Sequence, residues 1–170
     1  MKSESIDAFI SRIFAGDRSV VAELVAAEID LNSTGSTGRS PLRAAASAGQ
    51  VEIVLSLLAS GASVDAAENY GVTALHEAAA NGHVPVVLIL LGSGARVDAT
   101  TVFGSTPLMS AAAHGQIDVG RVLLACGADA GLCDKQGATA LDIANEKGED
   151  EMAVFLRAAT GLREQDCADA

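Results

Sequence analysis

Apolar and polar positions fall in short alternating blocks along the chain. Ala-rich runs such as 41–47 and 107–114 are each followed, after a glycine, by Leu- and Val-rich runs such as 51–60 and 85–92. The pattern predicts pairs of short helices. Ser40, Thr73, Thr106 and Thr139 stand where an N-cap hydroxyl would satisfy orphan N–H groups. Pro41 and Pro107 follow at positions where a missing N–H had no partner. A glycine in the left-handed conformation is expected to end the first helix of each pair. The second helix carries the leucine pairs Leu57-Leu58, Leu90-Leu91 and Leu123-Leu124. A short extended piece, 62–65 or 95–98, then leads through a turn to the next cap.

The blocks repeat. Gly16, Gly49, Gly82, Gly115 and Gly148 are each 33 residues apart, as are Gly38, Gly71, Gly104 and Gly137, and Gly61, Gly94 and Gly127. Leu42, Leu75, Leu108 and Leu141 form a ladder at the same spacing, with Phe9 as its first member. One such helix pair cannot bury its apolar face alone, so neighbours must stack. The period divides the chain into units 7–39 (N-terminal cap), 40–72, 73–105, 106–138 and 139–159 (C-terminal cap), with 160–170 expected to be a disordered tail. The ladder is expected in the core, and Phe9, Phe14 and Phe155 with it.

The openings Thr73-Ala74-Leu75-His76 and Thr106-Pro107-Leu108, the segment Asn81-Gly82-His83 and the leucine pairs resemble the ankyrin-repeat family. The resemblance implies an all-α ankyrin-type solenoid of about five 33-residue helix-turn-helix units with projecting hairpin-like loops. It also implies local hydrogen bonding for His76 at its turn and a structural place for His83. The other openings put Arg43, Met109 and Asp142 where His76 stands, and unit one reads Asp7-Ala8-Phe9-Ile10.

Composition narrows the function. Of 170 residues 33 are alanine, and aromatics make up 3%. That suits closely packed helices more than a core of large side chains. Eleven Lys and Arg against 22 Asp and Glu give a net charge of −11. Phosphate binding needs clustered basic residues, so nucleic acid and anionic membrane are not expected partners. The longest apolar stretch, 84–91, falls far short of the roughly 20 residues a bilayer needs. Residues 1–7 offer no apolar signal segment, so a cytoplasmic monomer is expected. Cys126, Cys133 and Cys167 cannot all pair with one another; free thiols are expected, with a Cys126–Cys133 bridge as the alternative.

No motif marks an enzyme. The pattern GxxxxGK[ST] and GxSxG are both absent. The segment 33–38 looks phosphate-friendly but lacks a lysine, and reads as a flexible first turn. His83 and His114 have no supporting ligands at metal spacing. No catalytic residue, cofactor or metal is expected.

Binding residues should be those that vary against the fixed register. Before the second glycine column stand Asn69-Tyr70, Val102-Phe103 and Lys135-Gln136, at the expected loop tips. Tyr70 and Phe103 are 33 apart and so occupy equivalent places on neighbouring tips. Aromatic pairs of this kind suit an interaction anchor. Arg43, Ser47, Glu77, Asn81, Met109, Ser110 and His114 vary along the first helices, the side that the resemblance makes concave. The expected function is a non-catalytic protein-interaction module, an adaptor or inhibitor holding another protein. The alternatives are an immunity-type inhibitor that blocks a basic enzyme through the acidic surface and, from another class, a small metal-dependent or catalytic domain.

Overall fold

A computed structural model describes residues 5–68 and 70–161. The expectation for Asn69, and that for the tail over 162–170, lie outside the described residues. Ten helices run in order: α1 (Ile6–Phe14), α2 (Val20–Ala26), α3 (Pro41–Ser47), α4 (Val51–Ala59), α5 (Ala74–Ala80), α6 (Val84–Gly92), α7 (Pro107–Ala112), α8 (Ile117–Ala125), α9 (Ala140–Lys147) and α10 (Asp150–Thr160). Among the described residues there is no strand. The odd-numbered helices stack on one another as an inner layer, and the even-numbered helices form the outer layer. Thr160 belongs to α10 rather than to a tail, and Gly161 ends that helix at φ 70°.

The ladder lies in the core. Phe9, Leu42, Leu75, Leu108 and Leu141 are all buried, as are the alanines Ala44 to Ala46, Ala78, Ala79, Ala111, Ala112 and Ala144. Alanine here lets the inner helices approach closely, and the larger leucines fill the space between the layers. Of each leucine pair the first member, Leu57, Leu90 or Leu123, is fully buried, while the second packs at the core's edge. Replacing such a residue by alanine typically costs about 2–5 kcal/mol.

Two aromatic placements differ from expectation. Phe14 is exposed, with the Arg39 guanidinium 5.9 Å above its ring. The register equivalents Ser47, Ala80 and Ala113 are half-buried, so this is the part-open face of the inner helices and not the core ladder. Phe155 is half-buried under Arg121 at 5.2 Å. The first turn is also less free than expected: Gly35 N–H donates to Arg39 O at 3.0 Å, and Ser36 N–H donates to the Asp7 carboxylate at 2.8 Å.

The units interlock at the glycines that follow the inner helices. Gly49 has φ 68°, in the left-handed region. The His83 ring of the next unit lies where a Cβ on Gly49 would stand, and its Nε2 donates to Ser47 O at 3.0 Å. Gln50 lies against Gly16, Gln116 against Gly82 and Glu149 against Gly115 in the same way. Beyond Gly148 nothing lies within 4 Å of that position.

Candidate functional site

Three of the four openings 40, 73, 106 and 139 show one task met by different chemistry. Thr73 N–H donates to His76 Nδ1 at 3.2 Å, Thr106 N–H to Met109 Sδ at 3.4 Å, and Thr139 N–H to Asp142 Oδ2 at 2.9 Å. Each is a side chain in the third helical position reaching back to its own cap. Since Nδ1 accepts from the backbone, His76 carries its proton on Nε2 and donates it to Ser105 O at 3.1 Å. Burial pushes the His76 imidazole below its ordinary pKa, against the opposing effect of the Ser105 carbonyl.

This geometry corrects two site expectations. Met109 is buried because it folds back over Thr106, and Arg43 is buried because its side chain turns inward. A guanidinium has no acceptor, so Arg43 cannot close its own cap in this way. It pairs instead with Glu68 and with Glu77 Oε1, the latter at 2.7 Å, and donates to Gly38 O at 3.1 Å. Glu77 also lies 3.6 Å from Arg39 Nε, so its carboxylate is committed within the molecule. Glu68 and Arg39 were not foreseen as members of this cluster. The available signal was Arg43 itself, since a cation in a capping position demands carboxylates nearby.

The loop tips stand side by side. Val102 N–H donates to Tyr70 O and Lys135 N–H to Phe103 O, both at 2.9 Å, so adjacent tips are joined through their backbones. The register that spaces Tyr70 and Phe103 thereby brings their rings together, with centroids 6.4 Å apart and planes 13° from parallel. Tyr70 is 60% exposed, Phe103 62% and Val102 42%. Stacked rings hold each other in place, so the two tips present one exposed apolar surface. Lys135 and Gln136 are exposed on the next tip.

The remaining expected residues lie along the inner helices. Asn81 and His114 are exposed, and Ser47 and Ser110 half-buried. Asn81 Nδ2 donates to Glu77 O at 2.8 Å, and His114 Nδ1 donates to Ser110 O at 3.0 Å. A groove of about 290 Å³ is lined by Ser105, Met109, Ser110, His114, Gln136 and Glu146, among others. It brings together four of the expected residues: Met109, Ser110, His114 and Gln136.

Among the described residues no group of three or more His, Cys, Asp or Glu is placed to hold a metal. Cys126 is a free, exposed thiol, so the Cys126–Cys133 bridge does not form. Cys133 is disulfide-bonded, contrary to the expectation of free thiols. Among the described residues no helix is long and apolar enough to cross a membrane.

Stacked helix pairs joined at their tips define a helical repeat solenoid. The ankyrin-repeat model in three copies matches residues 9–101, and the many-copy ankyrin model matches residues 92–144. The chain belongs to the ankyrin-repeat family. Ankyrin repeats are generally protein–protein interaction modules, and the family is typically non-catalytic. No curated protein matches the chain.

Proposed function

We propose that this chain holds a protein partner as a small adaptor or inhibitor, with the Tyr70–Val102–Phe103 surface as its anchor. The observation that carries this reading is the pair of stacked, solvent-facing rings on two joined tips. Lys135 and Gln136 extend the surface along the tips. Ser47, Asn81, Ser110 and His114 extend it along the inner helices. Arg43, Glu77 and Met109 serve the scaffold beneath it. Because the tips are ordered before binding, little conformational entropy is lost on association. The net charge of −11 favours a partner that is neutral or basic at its contact face. We place the protein in the cytoplasm as a monomer.

The test is comparative capture. Partners retained by the wild-type chain are identified by mass spectrometry beside those retained by the Tyr70→Ala, Phe103→Ala double variant. A partner held stoichiometrically by the first and lost by the second supports the reading. Buried aromatic anchors often cost at least about 2 kcal/mol when truncated, which is roughly thirtyfold in Kd. A partner bound equally by both would move the contact to the inner-helix residues.

A further inference from the structure

The tip that carries Tyr70 is built differently from the tips that follow. In the 101–105 turn, Thr101 N–H donates to Ser105 O at 3.0 Å, and Thr101 Oγ1 accepts from the N–H groups of Phe103 and Ser105 at 3.3 and 3.1 Å. In the 134–138 turn, Asp134 N–H donates to Ala138 O at 3.0 Å, and Asp134 Oδ1 accepts from Gln136 and Ala138 N–H at 2.8 and 3.0 Å. A short oxygen-bearing side chain thus closes its own turn. The residue in the same register one unit earlier is Glu68. Among the described residues, the 68–72 turn shows neither closure.

Glu68 sends its carboxylate to the buried Arg43 guanidinium instead. Its carbonyl accepts from Gly71 N–H at 2.8 Å, so the residue paired with Arg43 also closes the turn bearing Tyr70. Arg43 is itself fixed by Glu77 Oε1 and Gly38 O, while its buried Nε has no hydrogen-bond partner. A buried ion pair is weak evidence for stability. The cap does not need it either, since Met109 fills the same register. What Arg43 does meet is Glu68, on the tip of its own unit.

We propose that Arg43 is a positioning residue: paired with Glu68, it fixes the turn closed between Glu68 O and Gly71 N–H and so sets Tyr70 against Phe103. Its bearing on binding rests on reading those rings as the partner anchor, but the positioning can be measured with no partner present. Two amides report on it. Val102 N–H bonds the Tyr70 tip, and Lys135 N–H bonds the Phe103 tip one unit on.

Hydrogen exchange followed by NMR is compared for the wild-type chain, Arg43→Met and Glu68→Gln. Arg43→Met installs the residue the chain already uses at 109, and Glu68→Gln keeps the side chain's size. In each variant the Val102 amide should exchange at least about tenfold faster while Lys135 is unchanged, as expected of local opening. Near-ultraviolet circular dichroism from Tyr70, the one tyrosine in a chain without tryptophan, should weaken in parallel. Adding Glu68→Thr to Arg43→Met supplies the closure seen at Thr101 and should slow Val102 again. Equal acceleration of both amides in both variants, or no change in either, overturns the proposal. Failure of the capture experiment leaves this result standing, and the reverse holds too.

Discussion

Units 73–105 and 139–161 open with the same three residues, Thr-Ala-Leu, yet their surroundings differ. Helix α5 is stacked between α3 and α7, whereas among the described residues α9 has an inner neighbour only in α7. The interior unit answers with small and shared groups: Ala78 and Ala79 are fully buried, and His76 both closes its cap and bonds Ser105, the residue before the next cap. In the outer unit Ala144 keeps the place of Ala78, but Asn145 and Glu146 stand where 79 and 80 are alanine, and Asp142 closes the cap. One fold thus accepts two sequences, and what separates them is whether inner helices are stacked on both faces or on one among the described residues.

The glycines test this most sharply. Gly49→Ala adds left-handed strain of about 1–2 kcal/mol and collides with the His83 ring. Displacing that ring breaks its bond to Ser47, about 1 kcal/mol more. Gly148→Ala carries the strain alone, since its φ is 75° and nothing lies near. Urea midpoints should therefore fall by about 2–3 and about 1–2 kcal/mol equivalents; equal losses would mean the joint contributes nothing.

His76 gives the next effect. Its folded pKa lies below its ordinary value of 6.5. The unfolded chain takes up a proton first as pH falls, so stability is full above about 6.5 and is lost below it, by up to about 1.4 kcal/mol per pH unit. His76→Met should remove that part of the pH dependence. An acid limb unchanged by the substitution would show that the ring is protonated without cost.

A smaller effect is expected at Asp98, whose carboxyl burial pushes above its ordinary range despite accepting from Asp129 N–H. Ionisation of the unfolded chain comes first, so this group lowers stability as pH rises through that range. Asn32 does the equivalent work uncharged, accepting from Ser63 N–H at 2.8 Å. Asp98→Asn should match the wild type near pH 3 and equal or exceed it at pH 7. A variant less stable at pH 7 would show that the charge is useful.

The smallest effect on stability belongs to the tips. Tyr70→Ala with Phe103→Ala should leave the melting temperature nearly unchanged, because both rings stand outside the buried stack. A drop as large as that of Gly49→Ala would assign them to the core.

The period, the ladder and the helix-ending glycines were legible because each repeats at one spacing; that the next unit's side chain lies against Gly16, Gly49, Gly82 and Gly115 was not foreseen. Arg43 and Met109 misled because variation in a column was read as exposure. At that position the common partner is a backbone N–H, which sulfur, imidazole and carboxylate can all meet. Side-chain identity therefore varies there while His76 and Met109 stay buried and Asp142 half-buried; Arg43, which cannot accept, is buried by its carboxylates instead. Glu68 escaped notice for the opposite reason: its partner lies 25 positions back in the chain, outside the 33-residue register. Phe14 was misplaced because an aromatic on a helix was read as core, whereas its column, Ser47, Ala80 and Ala113, lies on the part-open inner-helix face.

The interlock at the glycines has a consequence for how such a chain can change length. In Gly49-Gln50, Gly82-His83 and Gly115-Gln116 the glycine is the socket for the following unit, and the next residue is the plug for the preceding one. Both halves of the joint are thus written in one dipeptide. Any 33-residue cassette copied in frame carries one plug and one socket, so insertion leaves every joint already matched. Deleting such a cassette does the same, and the spacing of all remaining tips is preserved.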